Sequence, residues 1–497
     1  MLLGIDIGTS ACKVALFERD GRVKAQEAVE YPVYYPAPGW AEQNPDEWWT
    51  AICRGIRKVL EETKAEPGEV DGVGIDGQSW SAIPVDREGN CLANTPIWMD
   101  TRARDICGRV KKEIGFERIF QTAGNDFLPS YSTPKMLWFK ENRPEIFRKT
   151  WKFLQSNSYI AFRLTGVMTQ EPSQGYGLHF FNNRTGSYDA ELAKDLGLSV
   201  DLVPELVPCH AVVGGVTKEA AALTGLKEGT PVTAGGLDAA CGTLGAGVYQ
   251  AGQTQEQGGQ AGGMSICLDE AKAHPKLILS PHVVPGKWLL QGGTVGGGGV
   301  LRWFRQEFAP EKSFDDLTRE AEKIPAGSEG VVFLPYMAGE RSPIWDADAK
   351  GVFYGLSFGR TRAHMLRAAM EGVAFSLEHN LRTAREAGVE AGVLNAMGGA
   401  ANSRLWTQIK ADVTGKTIRI PASDTATTLG ACILAGIGTG VYRDFGEAVR
   451  KTVSITREHT PDMENHAIYQ RSMELYLELY ERLKEVFCSY SERERKR

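Results

Sequence analysis

The chain has 497 residues and a net charge of −6 without a long basic run, which argues against a nucleic-acid partner. No stretch reaches the roughly 18 apolar residues of a membrane span, so no membrane partner is expected. Nine cysteines without a CxxC pair, and a start without the basic region of a signal peptide, predict a reduced, cytoplasmic location.

The N-terminal part predicts a mixed α/β domain. Strands are expected at residues 2–7, 12–17 and 23–31, joined by tight turns. Asn44 is expected to cap a helix, with Pro45 in its first position and Glu47 completing a capping box. A strand at 70–75 follows. This β-β-β-α-β order predicts a mixed sheet and not a purely parallel one.

The second half of the chain repeats this general pattern. Strands and glycines alternate from about 230 to 300, and helical patterns follow at 361–386, 402–415 and 463–487. The length also exceeds the roughly 250–300 residues at which a single core stops growing. We therefore predict two related lobes, residues 1–247 and 248–497, with a cleft between them.

Glycine is in excess, at 56 residues, where an average content of roughly 7 % would give about 35. The excess lies in clusters between strand-like segments, at 235–236, 258–263, 292–299 and 398–399. Such clusters are typical of backbone that approaches phosphate. Two other glycine motifs are rejected as nucleotide sites. Gly72–Gly77 matches GxGxxG without a following helix, and Gly415-Lys416-Thr417 lacks the first glycine of a Walker A loop, because position 410 is Lys.

Three local patterns indicate candidate sites. Asp6, with Gly8, Thr9, Ser10 and Lys13 after it, can hold a Mg²⁺-bound triphosphate, or it can be an ordinary hairpin turn. Asp238, after two glycines, can accept the proton of an attacking hydroxyl, or it can cap a helix. Residues 398–403 can hold a nucleotide near a helix N-terminus, or they can be a tight strand–helix connection.

Longer motifs give the chain a resemblance to a known family. Residues 130–142, and 351–356 with 364–371, match the two signatures of the FGGY carbohydrate kinases, and segments 40–45, 97–102 and 334–341 are similar to the xylulokinase branch. The resemblance covers essentially the whole chain. It implies an α/β fold of two actin/ribonuclease-H-like lobes, with mixed sheets flanked by helices and with ATP and sugar in the interlobe cleft.

The resemblance also implies roles for individual residues, with ATP and Mg²⁺ as cofactors. Asp238 is implied as the catalytic base, with Asp6 as a second catalytic carboxylate and both as Mg²⁺ ligands. The expected nucleotide-binding residues are Gly8, Thr9, Ser10, Lys13, Gly259, Gln260, Gly298, Arg302, Gly398, Gly399 and Ser403. The expected substrate-binding residues are Gln78, Ser79, Trp80, Asp100, Arg102, Asp238 and Ala239.

The sequence departs from the family pattern at three places. Trp80 stands in the segment where xylulokinases usually have a Met-His pair, Ala239 replaces a usual Asn or Gln, and Gln260-Ala261 replaces a Thr-Ser pair. Losing one charge-assisted hydrogen bond to phosphate costs roughly 1.5–3 kcal/mol, which weakens ATP binding without abolishing it.

The implied activity is ATP-dependent phosphorylation of a terminal hydroxyl of a ketopentose, foremost D-xylulose to D-xylulose 5-phosphate. One alternative is an FGGY kinase for another ketose or polyol, such as glycerol, erythritol, ribulose or a signalling polyol. Another is a non-catalytic module switched by nucleotide, because this fold does not determine function. The partner is expected to be a small carbohydrate. A homodimer is one option for the assembly.

Overall fold

The computed structural model describes residues 1–422 and 425–495. The chain folds around two mixed β-sheets of seven strands each, which are flanked by helices. In chain order, strands β1 to β22 are Leu2–Ile7, Ala11–Phe17, Val23–Glu30, Glu42–Gln43, Gly72–Gly77, Ile83–Val85, Thr95–Pro96, Lys152–Leu154, Phe181–Asn182, Ser187–Tyr188, Val212–Gly215, Pro231–Thr233, Gly236–Leu237, Thr254–Gly258, Gly262–Leu268, Ile278–Pro281, Trp288–Thr294, Val332–Leu334, Val352–Tyr354, Leu394–Met397, Ile418–Pro421 and Ile455–His459. Helices α1 to α17 are Pro45–Thr63, Arg104–Glu113, Phe116–Ala123, Ser132–Asn142, Pro144–Lys149, Ser156–Thr165, Pro172–Gly175, Ala190–Asp195, Lys218–Thr224, Asp238–Gly245, Gly298–Phe308, Phe314–Glu322, Arg362–Glu386, Arg404–Thr414, Ala426–Gly438, Phe445–Thr452 and Met463–Arg495.

The two sheets share one topology, as the prediction of two related lobes requires. The first has the order β11-β12-β5-β1-β2-β3, with β13 beside β5, and the second has the order β16-β17-β15-β14-β20-β21-β22. In each, three antiparallel strands are followed by two parallel neighbours and one antiparallel edge strand: β1 pairs parallel with β5, and β14 pairs parallel with β20. The second sheet has one additional antiparallel strand, β16, at its other edge. The β1–β2 and β14–β15 turns therefore occupy equivalent positions. The mixed α/β fold is confirmed.

The N-terminal elements form where the sequence predicts them, with one local correction. The Asn44 side chain accepts a hydrogen bond from the Asp46 backbone N–H at 3.0 Å and so caps α1. The predicted capping box is wrong, because the Glu47 carboxylate accepts the hydroxyl of Tyr34 at 2.8 Å. The spacing in the sequence assigns Glu47 to the helix cap, but its carboxylate instead bonds Tyr34, which lies close in space.

Helix α15, from the second half of the chain, packs on the first sheet and contributes to its core. It approaches so closely that a Cβ at Gly74 would lie 1.9 Å from the Ala431 carbonyl oxygen, and one at Gly4 would lie 2.4 Å from that of Thr428. The segment Gly72–Gly77 is strand β5 itself, so its glycines serve helix packing and not phosphate binding. The division at 247/248 stays a prediction.

The later helices agree with their patterns. The helices predicted at 361–386, 402–415 and 463–487 correspond to α13, α14 and α17, and Gly415 ends α14 with a left-handed φ of 64°. The Walker-like residues are therefore a helix end followed by strand β21. In the part of the chain that the structure describes, no helix is both long and apolar enough to cross a bilayer.

Candidate active site

Three carboxyl groups converge at the ends of adjacent strands of the first sheet. The parallel register places Asp6 on β1 opposite Asp76 on β5, and Asp76 opposite Gly236 on β13. Asp238 follows two residues later, as the first residue of α10. The carboxyl ends of parallel strands meet at one edge of a sheet, which is where open α/β sheets bind ligands. The two predicted catalytic carboxylates, Asp6 and Asp238, are thereby brought together.

Asp238 has the electrostatics of a general base. Burial, and then the negative charge of Asp6, raise the pKa of its carboxyl from 3.8 to about 7, while the Ala239 N–H and Lys13 act in the opposite direction. The Ala239 backbone N–H donates to Asp238 Oδ1 at 2.6 Å and fixes the carboxylate. A base with a pKa close to physiological pH combines sufficient ionisation with sufficient basicity.

Asp76 is a residue of this cluster that the sequence analysis missed. Its side chain is fully buried, and no donor among the described residues gives a hydrogen bond to either of its oxygens. Burial, and then the charges of Asp6 and Asp238, raise the pKa of Asp76 well above its usual value. The signal was present, because Asp76 ends an apolar strand as Asp6 does, but its partnership with Asp6 depends on the pairing of β1 with β5.

The β1–β2 turn is held by side chains from several segments. Gly8 O accepts the hydroxyl of Tyr31 at 2.5 Å, Thr9 O accepts Gln43 Nε2 at 2.8 Å, and Thr9 Oγ1 accepts Trp98 Nε1 at 3.0 Å. Ser10 and Lys13 remain exposed. The Asp6 carboxylate accepts Lys13 Nζ at 3.4 Å and Thr427 Oγ1 at 3.1 Å. Helix α15 thus reaches Asp6 from 421 residues away, a contact without a sequence signal.

A cavity of about 760 Å³ brings together most of the predicted nucleotide-binding residues of the second lobe. Its lining includes the predicted residues Gly259, Gln260, Gly298, Arg302, Gly399 and Ser403. Gly398 has a φ of +86°, and a Cβ there would lie 2.8 Å from Gly258 O, so the two glycine turns touch backbone to backbone. Helix α12 also lines the cavity, with Phe314, Asp315, Thr318, Arg319 and Glu322, and it was not anticipated. Gly8, Thr9, Ser10 and Lys13 lie instead with the carboxylates at the β1–β2 turn.

A buried ion pair lies behind this glycine turn. Lys410 Nζ is 2.5 Å from Glu256 Oε1, and both side chains are less than 5 % exposed. A Cβ at Gly258 would lie 3.2 Å from that ammonium. Lys410, the residue that excludes a Walker A loop in the sequence, therefore packs behind the β14–β15 turn and supports its first glycine.

Gln260 is packed against the start of helix α11. A Cβ at Gly299 would lie 2.2 Å from Gln260 Nε2, and the Gly298 and Gly299 backbone N–H groups donate to Gly259 O and Gln260 O at 2.7 and 3.0 Å. These two amides of α11 are therefore already satisfied. Arg302, one turn along α11, reaches the cavity.

Three aromatic side chains, Trp80, Tyr131 and Tyr176, pack together at the predicted sugar-binding end of the cleft, and we call them the aromatic wall. Trp80 adopts a left-handed φ of 61° and stacks on Tyr131, with ring centroids 4.2 Å apart; Tyr176 meets it edge-on at 5.8 Å. Lys135 Nζ donates to Trp80 O at 2.7 Å, and Gln174 Oε1 accepts the Trp80 N–H at 3.4 Å. A strained backbone held by buried side chains is typical of functional sites.

The other predicted sugar-binding residues have different surroundings. Ser79 and Ala239 are partly exposed beside Trp80 and Asp238. The Gln78 amide donates to Gln43 and to Gly8 O, and so links this segment to the β1–β2 turn. Asp100 and Arg102 pair with each other, and Arg102 also pairs with Glu42 and lies 3.9 Å from the Trp40 ring centroid. Asp100 and Arg102 are buried inside the first lobe with protein partners.

The carboxylate cluster suits a Mg²⁺–nucleotide complex. Its donors are oxygens only, and the orphaned oxygens of Asp76 lie beside Asp6. Among residues 1–422 and 425–495, no group of three or more His, Cys, Asp or Glu side chains has the geometry to hold a metal ion by itself. Mg²⁺ is usually bound through one or two carboxylates plus substrate phosphates, and Asp6 and Asp238 fit that requirement.

Comparison with known proteins agrees with this architecture. Family models for the N-terminal and C-terminal domains of the FGGY family of carbohydrate kinases match residues 1–245 and 265–439. Among similar proteins are a xylulose kinase from Bacillus subtilis, 32% identical over 488 residues (98% of this chain, 97% of the relative), and a gluconokinase from Bacillus licheniformis, 29% identical over 507 residues (99% and 98%).

A solved structure extends the similarity to the whole fold. The ligand-bound xylulose kinase from Lactobacillus acidophilus superposes with a TM-score of 0.92 at 27% identity, covering 98% of this chain and 99% of that one. Both family models, the paired lobes and the carboxylate cluster lead to one conclusion. The chain belongs to the FGGY family of carbohydrate kinases.

Proposed function

We propose that this carbohydrate kinase uses ATP to phosphorylate a terminal hydroxyl of a ketopentose, foremost D-xylulose, and forms D-xylulose 5-phosphate and ADP. The observation that carries the proposal is Asp238, a carboxylate with a pKa of about 7 beside Asp6 and next to the aromatic wall. Membership of the kinase family argues against the alternative of a non-catalytic module.

Asp238 would accept the proton of the sugar hydroxyl while the hydroxyl oxygen of the sugar attacks the γ-phosphorus. The bond to the β–γ bridging oxygen breaks, and ADP leaves. Little covalent chemistry falls to the protein in phosphoryl transfer, so positioning and charge dominate. The Ala239 N–H keeps the accepting carboxylate in one orientation.

The nucleotide would lie in the cavity of the second lobe, with its phosphates directed toward the β1–β2 turn. Phe314, 41% exposed, lines this cavity and would pack against the base, and Gly258 and Gly259 would let backbone approach the phosphates. Asp6 and Asp238 would hold Mg²⁺, which neutralises phosphate charge when bound. We place this reaction in the cytoplasm, where cysteines are kept reduced, because Cys209, Cys241 and Cys432 are buried and do not form disulfides.

A second candidate is a kinase for another sugar, such as a sugar acid. Two observations favour it: Trp80 forms an aromatic wall in the segment where xylulokinases usually have Met-His, and the gluconokinase relative is nearly as similar as the xylulose kinase. A tryptophan can stack on the apolar face of a sugar, but it offers only a donor.

Turnover with a substrate panel tests the proposal. ADP release is measured with D-xylulose, L-xylulose, D-ribulose, glycerol, erythritol and D-gluconate at equal concentrations and saturating MgATP. The expected result is the highest kcat/KM with D-xylulose. A higher value with D-gluconate would favour the second candidate, and a lack of ADP release with every sugar would contradict the proposed function.

A further inference from the structure

The Arg341 guanidinium lies beside strand β17 of the second sheet and has no part in the function proposed so far. It lies against Gly293 of strand β17, where a Cβ would be 3.0 Å from the guanidinium carbon. Leu289, four residues earlier on the same face of β17, belongs to a hydrophobic core shared with the first lobe. Since side chains two apart share a face of a strand, the guanidinium is on the side of the sheet that faces the first lobe.

The backbone around Arg341 is firmly attached to the end of β17. Glu340 Oε1 accepts the N–H groups of Val295 and Arg341 at 2.6 and 2.8 Å. Ser342 Oγ accepts the Gly293 N–H at 2.7 Å and donates to Gly293 O at 3.0 Å. The base of the Arg341 side chain is therefore held in one position.

A negative charge near this guanidinium is the carboxyl of Glu340, whose pKa Arg341 lowers, but the two side chains form no ion pair among the described residues. In the described ranges, 1–422 and 425–495, Arg341 makes no side-chain hydrogen bond and no ion pair, and its side chain is partly exposed. Arg102, in contrast, is paired with both Asp100 and Glu42. A guanidinium is planar and permanently charged, and one without a hydrogen-bond acceptor is suited to bind a carboxylate or a phosphate through two parallel hydrogen bonds.

The position of Arg341 connects the two halves of the site. Gly293 pairs with Gly263, which directly follows the β14–β15 turn on strand β15. Across the cleft, the positive charge of Arg341 acts on Tyr131 and opposes the rise in the Tyr131 pKa that burial causes. Tyr131 stacks on Trp80 in the aromatic wall. Arg341 thus lies between the β14–β15 turn and the sugar end, where nucleotide and acceptor must meet.

We propose that Arg341 binds an anionic oxygen group in the cleft. The group is either the terminal phosphoryl of the nucleotide or the carboxylate of a sugar acid, which share the same chemistry. The inference rests on the proposed function for the location of the cleft. The phosphoryl group is available whichever sugar is phosphorylated, whereas the carboxylate requires a sugar acid.

Equilibrium binding of four probes distinguishes the two sources. Titration calorimetry with Mg²⁺ present compares ADP with AMP-PNP, and D-xylulose with D-gluconate, on the wild type and Arg341→Gln. A loss of about 10- to 100-fold confined to AMP-PNP identifies the phosphoryl group, and the same loss confined to D-gluconate identifies a carboxylate. Arg341→Lys should retain part of the affinity, because it keeps the charge but not the fork.

Gly293→Ala provides a variant that moves the guanidinium and keeps its charge. Its new Cβ would press on the flexible end of Arg341, and Gly293 does not have a left-handed φ. Gly293→Ala should therefore reproduce part of the Arg341→Gln loss, and the double variant should be no worse than Arg341→Gln alone. Arg443→Gln, at an exposed arginine paired with Asp444, controls for the loss of one positive charge.

Wild-type affinities for all four probes in folded Arg341→Gln and Gly293→Ala would overturn the inference. If Arg341→Gln does not fold, as judged by its Tm, Arg341→Lys and Gly293→Ala decide instead. A wild type that releases no ADP with any sugar would contradict the proposed function, while the binding comparison would still decide the role of Arg341.

Discussion

Burial disfavours the charged form of the Asp238 carboxyl and so raises its pKa. The raised pKa makes the carboxylate a stronger base, but it also lowers the fraction that is ionised at neutral pH. Replacing Asp238 tests the role directly. Asp238→Asn should lower kcat by at least about 10²-fold, the range for loss of a general base, and leave the affinity for Mg²⁺-free ADP nearly unchanged, because Asp238 would contact the nucleotide only through Mg²⁺. Steady-state kinetics and ADP titration measure the two quantities. Normal turnover would remove Asp238 from the role of base.

The pH dependence of the reaction follows from the same carboxyl. Its pKa of about 7 means that Asp238 becomes protonated, and inactive as a base, as pH falls through that value. We expect kcat/KM to fall about tenfold per pH unit on the acid side. Lys13 lowers the Asp238 pKa, so Lys13→Met should move this limb to higher pH. A limb that does not move in Lys13→Met would contradict the assignment.

Asp76 lends itself to a stability test, because its pKa is raised in the folded protein. A group with a raised pKa contributes fully below its unfolded value, and that contribution is lost as pH rises through the folded value. Asn does not titrate. Asp76→Asn should therefore gain Tm relative to the wild type as pH rises above the ordinary carboxyl pKa of 3.8, by a few degrees if the gain is about 1 kcal/mol.

An exposed acid gives the opposite control. Hydrogen bonds from Asn90 lower the pKa of Asp86 in the folded protein, so its contribution is present at neutral pH and lost as pH falls. Asp86→Asn should lose rather than gain Tm as pH rises. Parallel trends in the two variants would show that Asp76 is not the source of the effect.

Helices α10 and α15 cross so closely that their backbones touch. Because α10 begins at Asp238, this crossing joins the two halves of the chain next to the carboxylate cluster. A Cβ at Gly430 would lie 1.9 Å from the Cys241 carbonyl oxygen, and one at Gly245 would lie 1.9 Å from that of Ala426. Part of the glycine excess therefore serves helix packing, whereas the sequence analysis related the glycine clusters to backbone that approaches a ligand, phosphate above all. Carbonyl oxygens of a helix cannot move aside as a flexible side chain can.

Gly430→Ala should destabilise the protein by about 1–3 kcal/mol or more through overpacking. The matched control is Gly108→Ala in helix α2, where nothing lies within 4 Å of the new Cβ, and where Ala should stabilise by roughly 0.5–1 kcal/mol. Urea denaturation gives both values. Equal effects of the two substitutions would contradict close packing at the crossing.

The two lobes are also joined by a buried amide. Asn125 Nδ2 donates to Leu279 O at 2.8 Å, and the Leu279 N–H donates to Asn125 Oδ1 at 3.0 Å, which ties the first lobe to strand β16 of the second. Asn125 is 2% exposed. Its removal would leave the Leu279 N–H without this partner, whereas Leu279 O keeps a longer contact from Asn183 Nδ2 at 3.5 Å.

Asn125→Ala should lower the free energy of unfolding by roughly 1–3 kcal/mol for the buried N–H left unpaired, while nucleotide affinity in the second lobe stays unchanged. Asn142→Ala, at an exposed asparagine of α4, should have little effect. Urea denaturation and ADP titration test both. A wild-type unfolding curve for Asn125→Ala would show that other contacts hold the lobes together.

Much of this molecule follows from local patterns. Strand periodicity and glycine turns predict the β1–β2 hairpin, the mixed sheets and the repeated lobes, and an aspartate after an apolar strand marks Asp6 and Asp238. Such features depend on neighbours in the chain, and hydrophobic periodicity records them directly. The cavity likewise contains six predicted residues, because strand–turn–helix connections place backbone at a strand end.

Other features depend on contacts between distant segments, to which chain order gives no guide. Asp76 joins the carboxylates through the parallel pairing of β1 with β5, Thr427 reaches Asp6 because α15 packs on the first sheet, and Arg341 lies at the cleft because Gly293 has no side chain. Glycine patterns indicate where the backbone comes close to another chemical group. Packing decides whether the neighbour is a phosphate, a helix or a guanidinium, because each requires the same absence of a Cβ.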